Sequence, residues 1–235
     1  MLNKDYDFII TLGFYNPALL PKCDVCFYPF LDCKTDFYVR YEVGTEEGVV
    51  ALLLYELADK SADSKLYDFI DSLDYGYLSA ETNVSEEELL RLKNALNVAK
   101  NPLLIIGDDI FYHPRKDNIL NMISALKAHS KLEIKCEHLS QSYALEAIAE
   151  LPEYNGCVIY LNNGAKNELK ISREFARAWH LCDNDKISFK VDNQMINTSC
   201  KLDKNFSGII GILEQSTQNV GYKFKTIAIH KHKGH

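Results

Sequence analysis

No stretch of the 235-residue chain approaches the roughly 20 apolar residues of a membrane-crossing helix. The opening residues, MLNKDYDFII, lack the shape of a signal peptide, because Asp5 and Asp7 interrupt them and no small-residue cleavage site follows. A cytoplasmic protein is expected. A basic surplus is missing too. The formal net charge is −7, and no stripe of Lys and Arg is present to replace the counterions of a duplex, which argues against a nucleic-acid partner. The one basic cluster is Lys223 and Lys225 with the tail HKHKGH; its His230, His232 and His235 read as a solvated terminus.

Catalytic and nucleotide signatures are scarce. There is no G-x-S-x-G elbow to organise the Ser, His and Asp residues for hydrolysis. The glycines fit neither the dinucleotide fingerprint nor the P-loop, which needs a Lys-Ser/Thr pair. An even cysteine count is absent as well: the seven cysteines of an intracellular chain are not a disulfide framework. Cys136, Cys157, Cys182 and Cys200 sit in apolar or strand-like runs and read as small buried hydrophobes. Cys23-Asp24-Val25-Cys26 has the spacing of a metal or iron–sulfur pair, and Cys33 adds a third thiol. A fourth donor is missing nearby, so packing or a decayed ligand site outweighs metal binding.

What is present is organised around Lys100 to Asn118, KNPLLIIGDDIFYHPRKDN. Asn101-Pro102 is a turn signal. Leu103 to Ile106 is an unbroken apolar run, as in a strand covered on both faces. Gly107 follows, and a helical pattern begins after Pro114. Strand, glycine turn, helix is the grammar of a parallel α/β sheet, whose ligands lie at the carboxyl ends of strands. Asp108, Asp109, Tyr112 and His113 therefore fall where a site belongs.

The other elements fit around it. Asp7 to Gly13 is a first strand, and residues 14–36 form an aromatic loop with Pro17, Pro21 and Pro29. Phe27, Tyr28 and Phe30 in that loop suit either a docking patch or the core. Phe37 to Val43 alternates like a strand. Gly44-Thr45-Glu46-Glu47-Gly48 then leads into an apolar helix, with Thr45 as N-cap and two carboxylates in the first turn. Lys65 to Leu73 is a short helix. Ser85 and Glu88 form a capping box ahead of a helix whose buried stripe is Leu89, Leu92 and Leu96. Arg115 to His129 predicts a helix, Leu132 to Cys136 a strand, and Gln141 to Glu150 a helix stopped by Pro152. Gly156 to Leu161 predicts a further strand of the same sheet, which would bring Asn162, Asn163 and Gly164 to one edge with Asp108, Asp109 and His113. From residue 170 onward one amphipathic helix and short β-like runs replace this alternation, with Asp-Asn turn signals at 183–185 and 192–193. The expected organisation is α/β: a parallel sheet flanked by helices over residues 1–168, and a small β-rich module over 169–235.

Three segments carry a resemblance: RYEVGTEEGVVALLL, GYLSAETNVSEEEL and AKNPLLIIGDDIFYHPRKDNI. They resemble the C-terminal, molybdopterin-oxidoreductase-like half of the large iron–sulfur subunit of bacterial NADH-quinone oxidoreductase, respiratory complex I. SREFARAWHLCDNDKISFKV is similar to the small β-barrel domain of that superfamily, with Asn184 where its Leu-x-Asp-Gly-Asp turn has glycine. The cysteine-rich region that holds clusters in that subunit has no counterpart, so neither an iron–sulfur cluster nor molybdopterin is expected.

The resemblance implies a stand-alone accessory subunit of the peripheral arm rather than an independent enzyme. Its partners would be other peripheral-arm subunits and a flavodoxin- or ferredoxin-type donor, and it would meet the inner membrane only through them. It would act where electrons come in, by docking the donor or by holding a flavin, FAD or FMN. The flavin would take phosphates at the Gly13 and Gly44 turns and place its ring or ribose by Asn162 and Gly164; Thr45, Gly107, Asp108, Asp109, His113 and Asn163 complete the expected site. A cofactor-free scaffold is the alternative.

Overall fold

The computed structural model describes residues 5–15, 23–30, 35–61, 63–137, 139–216 and 221–232. Pro17, Pro21, Cys33 and His235 lie outside the described residues. The chain divides into two units, Met1–Pro152 and Glu153–His235.

The first unit is built on a five-stranded parallel sheet. Its strands are β1 (Phe8–Leu12), β2 (Val25–Phe27), β3 (Phe37–Val39), β4 (Pro102–Ile106) and β5 (Glu133–Lys135), in the order β3-β2-β1-β4-β5. Successive side chains point to opposite faces. Ile10, Leu12, Val25, Phe27, Leu104 and Ile106 enter the large helix-covered core, while Ile9 and Leu103 pack with Tyr6 on the other side. Pro102, which cannot donate to the ladder, occupies the first position of β4. The chain runs outward from β1 to β3, then returns to the other side of β1 with β4. The reversal puts a topological switch point between the carboxyl ends of β1 and β4.

Helix α1 (Glu46–Leu57) is central. Its first nine residues are buried on every side, as expected of a helix that is apolar all round. It packs against α2 (Ser64–Asp71), α3 (Tyr75–Thr82), α4 (Glu86–Val98) and α5 (Lys116–His129). Helix α4 begins at the predicted capping box: Ser85 Oγ accepts from Glu88 N–H, and the Glu88 carboxylate accepts from Ser85 N–H at 2.9 Å. Ser85→Ala is expected to lower stability by about 1 kcal/mol, read as a shift in urea midpoint at unchanged slope. Helix α3 was not foreseen. Asp74 caps it by accepting from Tyr77 N–H at 2.9 Å, and Asn83 ends it with a left-handed φ of 58°.

Residues 139–152 correct the expected helix over 141–150: they form neither helix nor strand. Side chains of the first unit take up backbone groups that a helix would pair internally. Asn118 Oδ1 accepts from Glu146 N–H at 3.0 Å, Asn118 Nδ2 donates to Glu146 O at 3.1 Å, and Tyr77 OH accepts from Leu151 N–H at 3.2 Å. Tyr143, Leu145, Ile148 and Leu151 meanwhile lie against the core, so tertiary contacts override local propensity here.

The second unit is a mixed seven-stranded sheet. Its elements are β6 (Cys157–Asn163), β7 (Glu168–Ile171), α6 (Arg173–Ala178), β8 (Lys186–Val191), β9 (Gln194–Leu202), β10 (Ile210–Gln215), β11 (Phe224–Ile227) and β12 (His230–Lys231). The order is β11-β6-β10-β7-β9-β8-β12, and contact between β11 and β8 curls the sheet on itself. Phe175 on α6 and Trp179 after it pack on this sheet's core. Asp192 and Asn193, with φ of 46° and 68°, make the tight β8–β9 hairpin.

Strand β6 is the second correction. It pairs with β10 and β11 of the second sheet and does not extend the first. The second unit accordingly starts at Glu153 instead of residue 169. A buried apolar run reads the same whichever sheet receives it.

No helix among the described residues is long and apolar enough to cross a membrane.

Candidate functional site

The carboxyl edge of the parallel sheet is crossed by three turns. One leaves β1 at Gly13, one leads through Gly44 into α1, and one leaves β4 at Gly107 and forms a 3-10 helix, Asp108–Tyr112. The first and third are joined across the switch point. Gly107 N–H donates to Leu12 O at 2.8 Å and Asp109 N–H to Gly13 O at 3.3 Å. A Cβ on Gly107 would stand 2.2 Å from Gly13 O, and one on Gly13, whose φ is +63°, would meet the Ile110 side chain at 2.7 Å. These glycines permit backbone to lie against backbone, and the chain itself fills the space between them.

Buried polar side chains tie the turns together. Tyr28 OH, at the end of β2, donates to Asp109 Oδ2 at 2.5 Å. His113 lies behind α1: its Nδ1 accepts from Arg115 N–H at 3.0 Å, which puts the ring proton on Nε2. That nitrogen faces Gly44 O at 3.1 Å and Glu46 Oε2 at 3.4 Å. Tyr41 OH reaches Glu46 Oε1 at 3.5 Å. Burial first, then the Glu46 and Asp109 carboxylates, hold the Tyr41 hydroxyl well above its usual range. It stays protonated and able to donate.

Glu47, 1% exposed, is held more tightly. Arg115 approaches its carboxylate through Nε at 3.2 Å and Nη2 at 3.0 Å, and Asn118 Nδ2 donates to Oε1 at 2.7 Å. The hydrogen bond to Glu47, reinforced by its charge, raises the Arg115 guanidinium above its ordinary range. Arg115 also donates to Ala147 O at 3.2 Å. The pair thereby fixes both the entrance to α1 and the irregular segment beneath it. Chemically, this set of groups locks turns in place.

The expected site residues separate accordingly. Gly13, Gly44, Thr45, Gly107, Asp109 and His113 are buried at this edge, with Asp108 exposed beside them. Thr45 occupies the N-cap position of α1, but its side chain makes no cap hydrogen bond; its Oγ1 donates to Glu42 O at 2.7 Å. Asn162, Asn163 and Gly164 end β6 in the other sheet and are not part of this edge. Phe27, Tyr28 and Phe30 are buried, with the Tyr28 and Phe30 rings edge-on at 5.0 Å, so they serve as core and not as a docking patch. Glu46, Glu47, Tyr28, Tyr41, Arg115 and Asn118 were not foreseen as a network. Their one signal was a Glu-Glu pair opening an otherwise apolar helix, which calls for buried partners.

Two clefts are formed by other described residues. One, of about 800 Å³, opens at the C-terminal ends of α1 and α5, lined by Tyr55, Lys60, Lys93, His129 and Lys131 among others. His129 Nε2 donates there to Tyr143 OH at 2.6 Å, and Tyr143 OH donates to Asp63 Oδ2 at 3.1 Å. Lys131 caps α4 by donating to Leu96 O and Ala99 O, a common use of lysine at a helix end. The other cleft, of about 430 Å³, lies in the second unit between Asn167, Lys186, Thr198 and His232. Among the described residues no three His, Cys, Asp or Glu side chains gather as metal ligands.

No protein family's sequence profile matches the chain, and no curated protein is significantly similar to it.

Proposed function

We propose that this chain is a non-catalytic subunit of an NADH-quinone oxidoreductase-like assembly, working in the peripheral arm where electrons come in. Its part is to dock neighbouring subunits or a flavodoxin- or ferredoxin-type donor, and it meets the inner membrane only through those partners. The observation carrying this reading is the closed switch point. Where an open α/β sheet receives a nucleotide, Gly13 and Gly107 are in backbone contact, and Asp109, His113, Glu46 and Glu47 point into the protein. Of the residues expected to hold a flavin, Asn162 and Asn163 end a strand of the other sheet and Gly164 follows it. The order of units, a parallel α/β sheet followed by a β-rich module, supports the resemblance. So does Asn184, whose φ of 65° is a conformation natural to the glycine it replaces.

The test is reconstitution. Co-expressed with the peripheral-arm subunits of such a complex, the chain should co-elute with them in a fixed ratio. Omitting it should abolish electron transfer from reduced flavodoxin or ferredoxin while leaving the clusters of the other subunits intact. Co-elution without any effect on transfer would leave a scaffold, and failure to co-elute would end the reading. Titration of the isolated chain with FAD or FMN is expected to show no saturable spectral change; a saturable one would reinstate the flavin.

A further inference from the structure

Cys26 lies within β2 opposite Thr11 of β1 in the parallel ladder, which aims both side chains at the same face. Cys23, just before the strand, folds back onto that pair. Its Sγ lies 3.5 Å from Thr11 Oγ1 and 3.3 Å from Val25 O, and the Cys26 thiol hydrogen-bonds to it. Cys26 is buried whereas Cys23 is partly exposed. Asp24 between them is held by Ile9 N–H at 2.8 Å, which fixes the bend that brings the sulfurs together.

We propose that Cys23 and Cys26 are a redox-active dithiol, with Cys23 as the attacking and Cys26 as the resolving sulfur toward low-molecular-weight disulfides of the glutathione type. The Cys23 thiolate attacks one sulfur of the small disulfide. That S–S bond breaks, a Cys23 mixed disulfide forms and one thiolate leaves. Cys26 gives up its proton and attacks Cys23 Sγ, which closes the Cys23–Cys26 bond and expels the second thiolate. The protein loses two electrons to the small disulfide, and the two protons of the dithiol end on the two released thiols. An accessible thiolate beside a buried second thiol is the arrangement this exchange requires.

The other cysteines supply the contrast. Hydrogen bonds from Cys26 and Thr11 outweigh burial and the Asp24 charge and bring the Cys23 thiol down to about 7. Burial pushes Cys136 up to about 11, and Cys157 and Cys200 up to about 12.

The test uses the full chain. Alkylation by iodoacetamide, mapped by peptide mass, should label Cys23 first, with a rate that rises through a midpoint near pH 7. Oxidised glutathione should produce a Cys23–Cys26 disulfide that dithiothreitol reverses. Cys26→Ser should stop at the glutathione adduct of Cys23, and Cys23→Ser should form neither species. The proposal is overturned if both residues are recovered as free thiols, or if Cys23 pairs elsewhere. Should Cys26→Ser fail to fold, the bond mapped in the unaltered chain decides alone.

Discussion

Replacing Gly107 with alanine is expected to unfold the parallel-sheet unit under conditions where the unaltered chain is native. The added Cβ would stand 2.2 Å from Gly13 O and 2.4 Å from Phe14 Cα, inside contact distance of backbone that the β1–β4 ladder holds in place. With no flexible side chain to yield, the strands must part. The cost should reach at least about 3 kcal/mol, the upper end for overpacking. Two probes report the outcome separately. The single tryptophan, Trp179, packs in the second unit, while far-UV circular dichroism is dominated by α1 to α5 of the first. The dichroism transition should move to lower urea, whereas Trp179 fluorescence gives the second unit's own response. An unchanged dichroism midpoint would mean that the switch point is open and that a nucleotide reading deserves to return.

Arg115→Ala is expected to cost roughly 3 kcal/mol, the low end for breaking a buried ion pair. The low end applies because the Arg115 side chain is 36% exposed and Asn118 stays on Glu47 after the change. The penalty comes from leaving the Glu47 carboxylate buried with its charge uncompensated. Adding Glu47→Gln should therefore recover part of the loss, since the neutral amide keeps a carbonyl for Asn118 and needs no cation. A double-mutant cycle in urea measures that coupling. If Arg115→Ala shifts stability by less than about 0.5 kcal/mol, as ordinary surface changes do, the edge is not held by this pair.

The stretches RYEVGTEEGVVALLL, GYLSAETNVSEEEL and AKNPLLIIGDDIFYHPRKDNI cover the turn after β3 into α1, α3 into α4, and β4 into α5. They hold one of the sheet's five strands, β4. Three buried polar residues of this edge have a structural partner close by: Tyr28 for Asp109, Gly44 O for His113, Glu42 O for Thr45. Buried polar networks of this kind rigidify the turns they join.

The sequence by itself determined the elements whose signals are local. The Ser85–Glu88 box, the Leu89-Leu92-Leu96 stripe and the run Leu103–Ile106 between Asn101-Pro102 and Gly107 each place an element, because capping, periodicity and turn chemistry act over a few residues. The α/β class followed from their alternation. Only the tertiary structure decided where β6 belongs, that residues 141–150 form no helix, that Phe27, Tyr28 and Phe30 are core, and that Glu47 is matched by Arg115, 68 positions along the chain. These outcomes share one cause. An apolar run, an aromatic or a carboxylate carries no label for its partner, so its place is set by which distant surface buries it or neutralises its charge.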